Sequence, residues 1–486
     1  MSADRFVYEG YELDARRRRV ICRYALGTRR FTEETGFEPA GQTGEVPAWE
    51  TPAVDAAARI LFLLAGVSYY KTAAPQVIDL GTTASSAQER AFLHAFYVQG
   101  LGELAYRNGL DLSKLDVVGP DSGARTPVQA ELRPGRPLVP FGAGIDSIVT
   151  VSHVARRHPG ASLFVVSRAG DRFRAIEDAA AETGLPVVRA ERRIDPSVLH
   201  SQELGFLNGH VPVTGILSAI AVVASVLGGH DAVVMSNERS ASVPTLWDGD
   251  RAINHQWSKS AAFESAFRRL LAESLSPMPE YFSFLRARSE LWVAQEFAAL
   301  DRYHSVFRSC NRAFAIDPAR RLDHWCGTCD KCCFINLVLS PFLDARALSA
   351  VFDGREPLGD AALMPRFRAL VGTGTGSKPF ECVGDEEECR AAVLLAAARG
   401  DRARTTVLQT LAAELLAAAP AWREAGVRDA TLRRLLDEGQ SDFVPPRYRA
   451  TPGGPPALGA RGDSLPSPAD IAGGPGLRIA GTPSSR

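Results

Sequence analysis

Along the first 32 residues apolar and polar side chains alternate: Phe6, Tyr8, Tyr11 and Leu13, then Val20, Cys22 and Tyr24. A period near two is that of a half-buried strand, so this stretch predicts a hairpin or small sheet. After a Gly/Pro-rich joint the period lengthens. Residues 53–67 and 87–106 predict helices, with Phe92, Ala95, Phe96, Leu101 and Leu104 close to one face of the second. From about residue 134 short apolar runs alternate with helical stretches, giving strands at 138–141, 163–167, 186–189 and 232–236 and helices at 147–157, 172–183 and 213–227. That alternation predicts an α/β fold, a parallel sheet with helices on both faces.

Four segments follow from the pattern: an N-terminal α+β region (1–130), an α/β domain carrying a cysteine cluster (131–344), a C-terminal helical region with a lid loop (345–440), and a disordered tail (441–486). The tail is assigned from its Pro, Gly, Ser and Ala content, which offers too few large apolar groups for a core.

With 55 basic and 56 acidic side chains among 486 residues, the formal net charge is -1, so no overall bias towards nucleic acid or anionic lipid exists. The opening residues are mostly polar. No apolar run reaches the ~20 residues of a spanning helix. The nearest challenger, 213–227, contains Thr214, Gly215, Ser218 and Ser225 and suits a buried helix better. A cytoplasmic protein without membrane insertion is expected, and its eight cysteines then point to metal or chemistry rather than disulfides.

Four places carry candidate chemistry. In RPLVPFGAGIDSIVTVS (136–152), a strand from Leu138, Val139 and Phe141 meets a turn at Gly142 and Gly144, then a helix opening at Asp146. Asp146 or Ser147 is expected to cap it, and the turn's N–H groups with the helix's positive end make an anion cradle. An ordinary strand–turn–helix is the alternative on this motif alone. Next, His210 precedes the apolar helix at 213, as a site residue or a satisfied core histidine, and Asn237, Glu238 and Arg239 form a polar run just after an apolar strand. Polar groups at a sheet's carboxyl rim are candidate ligand contacts. Third, Cys326, Cys329 and Cys332 in WCGTCDKC, with Cys310 upstream, have the spacing of a closed tetrahedral site, structural and most compatible with Zn2+. Last, GTGTGSKPFEC (372–382) superficially suggests a phosphate loop, but Ser377 precedes Lys378 and Pro379 follows it, so it is read as a lid.

The series Gly142, Ala143, Gly144, Ile145, Asp146, Ser147 resembles the SGGxDS pyrophosphate loop of the ATP pyrophosphatase superfamily, with Gly142 for the usual Ser and Ala143 for the usual Gly. Together with the cysteine cluster and the texts LNGHVPVTGILS, VVMSNERSAS and KPFECVG, residues 138–384 look like the MurL-type epimerases of peptidoglycan synthesis. The resemblance implies an adenine nucleotide alpha hydrolase-like fold. It also implies ATP-dependent inversion of the terminal L-glutamate of UDP-N-acetylmuramoyl-L-alanyl-L-glutamate, through an acyl-adenylate, releasing AMP and pyrophosphate. A glutamate-adding peptidoglycan ligase is then the functional neighbour. By the same resemblance Gly142, Gly144, Asp146 and Ser147 would hold pyrophosphate with Mg2+, and Arg239 or Lys259 would stabilise its charge. His210, Glu238 and Cys382 are the candidates for proton transfer. Two alternatives stay open: an adenylating enzyme of 7-deazaguanine or tRNA modification, whose cysteine cluster is similar, and a scaffold that keeps zinc without catalysis.

Overall fold

The alternating N-terminal residues form three antiparallel strands, β1 (Arg5–Asp14), β2 (Arg19–Leu26) and β3 (Arg29–Phe37). The computed structural model describes residues 4–38, 49–315, 317–374, 378–437, 439 and 441–449. Two compact units divide it, Met1–Ala287 with Gln440–Arg449, and Arg288–Gly439.

In the first unit β4 (Val77–Asp79) and β5 (Asp116–Val118) follow, then β6 (Arg133–Pro140), β7 (Ser162–Arg168), β8 (Val187–Arg193) and β9 (His230–Met235). A two-stranded ribbon, β10 (Leu246–Asp248) and β11 (Arg251–Ile253), precedes β12 (Glu280–Ser283). The N-terminal strands do not build a separate sheet. One ten-stranded sheet runs β12-β9-β6-β7-β8-β3-β2-β1-β4-β5, and its pairs are parallel except β1–β2, β2–β3 and β3–β8. At the β3–β8 seam Arg192 forks onto buried Glu33 at 2.7 and 3.0 Å and reaches Ser68 Oγ at 2.9 Å. A bidentate pair of this kind compensates both buried charges.

This order positions the site. After β6 the chain adds β7 and β8 on one side, then returns to add β9 and β12 on the other. The reversal between β6 and β9 is a topological switch point, where loops leaving the two strands part and open a crevice at their carboxyl ends. Each parallel crossover needs an element running back along the sheet. The helix Val213–Gly228, largely buried from Gly215 to Ser225, therefore starts at the edge where β9 ends.

Helix Pro52–Ala65 packs against Val213–Gly228. The segment Pro52–Tyr70 is long and apolar enough to cross a bilayer, which corrects the choice of 213–227 as the nearest challenger. Within this protein it is 94% buried, and the hydroxyls of Tyr8 and Tyr24 donate to its Leu63 and Phe62 carbonyls at 2.7 Å. Gly66 lets those rings approach, since a Cβ there would lie 2.7 Å from Tyr8 Oη.

Residues 441–449, placed in the tail by composition, are folded instead. Tyr448 is buried against His158 and Phe282, and Arg447 reaches Asp231 at 2.8 Å. The remaining tail positions, 450–486, lie outside the described residues, as do 375–377 of the expected lid.

The second unit is helical, including Glu290–Ala298, Asp330–Leu339, Glu386–Ala397 and Thr406–Ala418. Buried Arg402 donates to the carbonyls of Ser340 and Leu343 at 3.1 and 3.3 Å, satisfying the turn after Asp330–Leu339.

Candidate functional site

The turn after β6 has the form that its small residues predict. Phe141 N–H donates to Phe164 O at 2.8 Å, Ala143 takes φ +60°, and Gly144 ends the turn in extended conformation. Gly142 is exposed with open space where a Cβ would stand. Ala143 is the residue where glycine would be free of strain, and its left-handed backbone costs about 1 kcal/mol. The expected cap is not formed. Helix Ile145–Arg157 starts at Gly144 with no side-chain cap, because Asp146 already sits in its first turn, bonded to Ser147 N–H at 2.7 Å, and Ser147 Oγ turns back to Gly144 O at 3.1 Å. An uncapped helix start keeps donors and a positive dipole end for an anion.

Across the switch point, the segment after β9 is held from below. Asn237 N–H donates to Ser283 Oγ at 2.5 Å, and Ser283 Oγ donates to Asn237 O at 2.7 Å, locking β9's exit to that of β12. Arg286 is fixed by buried Glu264 and sends Nη1 to Glu238 O at 3.3 Å and Nη2 to Lys259 O at 2.8 Å. One guanidinium thus ties together the backbone of two candidate residues from different loops. Arg286 directly follows the apolar run YFSFL, but its partner Glu264 stands 22 residues earlier, so no local pattern marks the pair.

His210 is half-buried ahead of Val213–Gly228, its loop pressed onto the N-terminal helices. A Cβ on Gly209 would lie 2.7 Å from Leu104 Cδ1, and Lys71 Nζ donates to Asn208 Oδ1 at 3.1 Å and Gly209 O at 3.3 Å. The ring centroid stands 4.0 Å from that of His255, which in turn contacts the Glu103 carboxylate through Nδ1. Burial first, then His255 and the ammonium groups of Lys259 and Lys71, push the His210 imidazole down to about 3 against the opposing Glu103 charge. His210 is therefore neutral at physiological pH, and the same surroundings make it a weak proton acceptor. Glu103, Lys71 and His255 had no assigned role in the sequence; Glu103 is 152 residues from His255 and only folding joins them.

In the first unit, then, Gly142, Gly144, Asp146 and Ser147 share one turn at the carboxyl edge of β6. Glu238, Arg239 and Lys259 share linked loops beyond β9, and His210 precedes the helix that starts at the same edge. An apolar cavity lined by Phe37, Trp49, Val188, Ala224 and Leu227 lies at the opposite, amino edge beside His230 and belongs to none of them.

The second unit holds the five cysteines among the candidates. The sulfurs of Cys310, Cys326, Cys329 and Cys332 all lie within 4.8 Å of one another, with Cys326–Cys332 at 3.6 Å and Cys329–Cys332 at 3.4 Å. Backbone N–H groups of Thr328 and Cys329 each approach Cys326 Sγ at 3.4 Å, as donors that stabilise a thiolate. Sulfurs bound tetrahedrally to one zinc at ~2.3 Å stand about 3.8 Å apart, so the cluster has the compactness to hold one metal ion. Cys382 is half-buried in the turn before Glu386–Ala397; its carbonyl accepts from Lys331 Nζ, and Asn311 Nδ2 donates to neighbouring Glu381 at 3.0 Å.

A family model for the MurL N-terminal domain matches residues 1–284, and one for the MurL C-terminal domain matches 306–426. A UDP-N-acetyl-alpha-D-muramoyl-L-alanyl-L-glutamate epimerase of Salinispora tropica is 39% identical over 452 residues, covering 92% of this chain and 94% of that protein. An epimerase of the same name from Xanthomonas oryzae pv. oryzae is 41% identical over 357 residues, 72% of this chain and 76% of its own. A third, from Micromonospora, is 38% identical over 458 residues, 92% of this chain and 97% of its own. No solved structure matches the chain. With matched domains at both ends and relatives aligned along nearly its full length, the chain belongs to the MurL family.

Proposed function

We propose that the protein inverts the terminal L-glutamate of UDP-N-acetyl-alpha-D-muramoyl-L-alanyl-L-glutamate, and that it does so by activating the glutamate carboxylate with ATP. The epimerase activity in peptidoglycan precursor synthesis follows from family membership. The ATP half rests on one observation: the uncapped turn 141–145 opens at the carboxyl edge of β6, at the switch point facing the loop after β9. Nucleotides bind doubly wound sheets there, and the strand order supports an adenine nucleotide alpha hydrolase-like core.

The chemistry explains a need for ATP. An α-proton beside a carboxylate is barely acidic, because its removal puts a second negative charge next to the first. An acyl-adenylate is neutral at that carbonyl and accepts the electron pair as an enolate. In this mechanism Gly142, Gly144, Asp146 and Ser147 hold the pyrophosphate, and Arg239 and Lys259 balance its charge. Magnesium, bound through Asp146, would neutralise phosphate oxygens. His210, Glu238 and Cys382 are the groups offered for proton transfer.

The four thiolates fit a closed zinc site with no open position, which assigns it to structure rather than catalysis. The reaction belongs to the cytoplasm, where ATP and the nucleotide-linked precursor meet, and it must follow a ligase that adds L-glutamate. Purified protein given ATP, magnesium and the UDP-muramoyl dipeptide should yield D-glutamate on hydrolysis, with AMP and pyrophosphate. Unchanged L-glutamate and intact ATP would reject the proposal.

A further inference from the structure

We propose that Lys71 is a substrate-binding residue whose ammonium pairs with the side-chain carboxylate of the terminal glutamate, so that the protein selects glutamate over its uncharged amide. The inference rests on the epimerase reading and deepens it by assigning the group that recognises the end of the substrate.

Lys71 directly follows the short helix Val67–Tyr70 and is 8% exposed. Its Nζ donates to Asn208 Oδ1 at 3.1 Å and to Gly209 O at 3.3 Å, both neutral acceptors. An ammonium carries three hydrogens, so one remains beyond these two bonds. Arginines set equally deep in the same unit are matched differently: Arg59 faces Glu89, Arg192 faces Glu33 at 2.7 Å and Arg286 faces Glu264 at 2.7 Å. Among the described residues no carboxylate forms an ion pair with Lys71. Glu103, the carboxylate that acts on His210 one residue beyond Gly209, is taken by Arg107 Nε at 2.7 Å and by His255. Burial pushes the Lys71 ammonium down, and no opposing charge offsets it. A buried cation held only by carbonyls gains an ion pair when an anion arrives, whereas a buried cation already paired gains nothing.

Holding the loop does not account for this charge, because the loop has other tethers. Leu207 N–H donates to Thr72 O at 2.9 Å, and Gly209 lies so close to Leu104 that a Cβ would stand 2.7 Å from Cδ1. A Cβ on Gly100 would likewise stand 2.7 Å from Pro212 Cγ. The loop is thus closed at both ends by backbone and packing. The Lys71 Nζ lies just beneath it, where Asn208 is exposed and Gly209 and His210 are half-buried, within reach of a ligand entering over the loop.

The chemistry of the substrate selects the anion. In UDP-N-acetyl-alpha-D-muramoyl-L-alanyl-L-glutamate the lactyl and alanyl carboxyl groups are both acylating an amine, so glutamate carries the only free carboxylates. Adenylation occupies the α-carboxylate and leaves the one on the side chain. A diphosphate spreads its charge over several oxygens and is met by several donors; a single ammonium N–H, as a compact point charge, suits one carboxylate.

The test measures equilibrium binding without ATP, so it does not depend on adenylation. Three ligands are compared: the UDP-muramoyl dipeptide ending in L-glutamate, the same molecule ending in L-glutamine, and UDP-N-acetylmuramoyl-L-alanine. The wild-type protein should bind the glutamate form about 10- to 100-fold more tightly than the glutamine form, the range of one hydrogen bond to a charged group. Lys71→Met should weaken the glutamate form by that factor and leave the other two ligands within about threefold, which also shows the variant folded. Asn208→Asp, at an exposed position, sets a carboxylate of the protein's own beside Nζ and should lower the same selectivity without disturbing the packing. Equal binding of the glutamate and glutamine forms by the wild type would overturn the proposal. So would equal weakening of all three ligands in Lys71→Met, which would assign the ammonium to the loop or to the diphosphate, or undiminished selectivity in Asn208→Asp. A wild-type protein that binds none of the three would overturn the epimerase reading and this inference with it.

Discussion

Arg286 donates from Nε and Nη2 to one oxygen of Glu264, at 2.9 and 2.7 Å, while Nη2 also reaches Lys259 O at 2.8 Å. The other Glu264 oxygen accepts from Ser283 N–H at 3.1 Å, so the pair joins the end of β12 to the loop after β9. Both side chains are at most 5% exposed. Removing one member leaves a buried charge without its partner, a loss of about 3–5 kcal/mol. Glu264→Ala should therefore shift urea unfolding by that order and weaken substrate binding through Lys259. An unchanged unfolding midpoint would show the pair to be unimportant.

The turn after β6 gives two opposite expectations. Asp146→Ala should abolish AMP formation together with glutamate inversion, because it strips the proposed pyrophosphate site of its carboxylate. Ala143→Gly should instead raise stability by up to about 1 kcal/mol, because the φ of +60° at Ala143 no longer strains a Cβ. A fully active Asp146→Ala would detach the turn from nucleotide chemistry.

The cysteine cluster predicts about one zinc per chain by elemental analysis. Cys329→Ser should lower that content and the thermal midpoint together, since metal binding there is folding energy. Zinc-free protein with an unchanged midpoint would assign the four thiols to packing alone.

His230 is 2% exposed, with its Nδ1 3.0 Å from Arg136 O. Burial pushes its imidazole down to about 4, the Arg136 carbonyl opposing. A depressed folded value means that the unfolded chain binds the proton more readily. The stability contribution is full above pH ~6.5, the unfolded value, and is lost as pH falls towards 4, by about 3 kcal/mol at roughly 1.36 kcal/mol per unit. His230→Asn should flatten that part of a stability–pH curve; identical curves would contradict the assignment.

For Cys382 the expectation separates two steps. If its thiol carries a proton on one face, Cys382→Ala should spare AMP formation or α-exchange more than net inversion, measured on the same samples. Equal loss of all three would remove it from proton transfer.

The parallel core was legible in the sequence because its buried strands are apolar runs, as in DAVVM, separated by helical stretches such as 213–227. The cysteine site was legible because three of its ligands lie within seven residues, so local spacing fixes the geometry. What stayed hidden depends on contacts distant in sequence. The β3–β8 seam needs the Glu33–Arg192 pair, 159 residues apart, to join an N-terminal hairpin to the sheet. Residues 441–449 look like disordered tail by composition, yet Tyr448 and Arg447 find partners on β12 and β9. Glu103 and His255 lie 152 residues apart, and only the folded helix and ribbon bring them to His210.

The most direct measurement uses substrate with 18O in the terminal glutamate α-carboxylate, incubated with unlabelled ATP and water. Carboxylate attack on the α-phosphorus, followed by water at the acyl carbon, must carry one labelled oxygen into AMP in step with D-glutamate. Inversion that proceeds with AMP free of label, or with no ATP present, would contradict activation by adenylation.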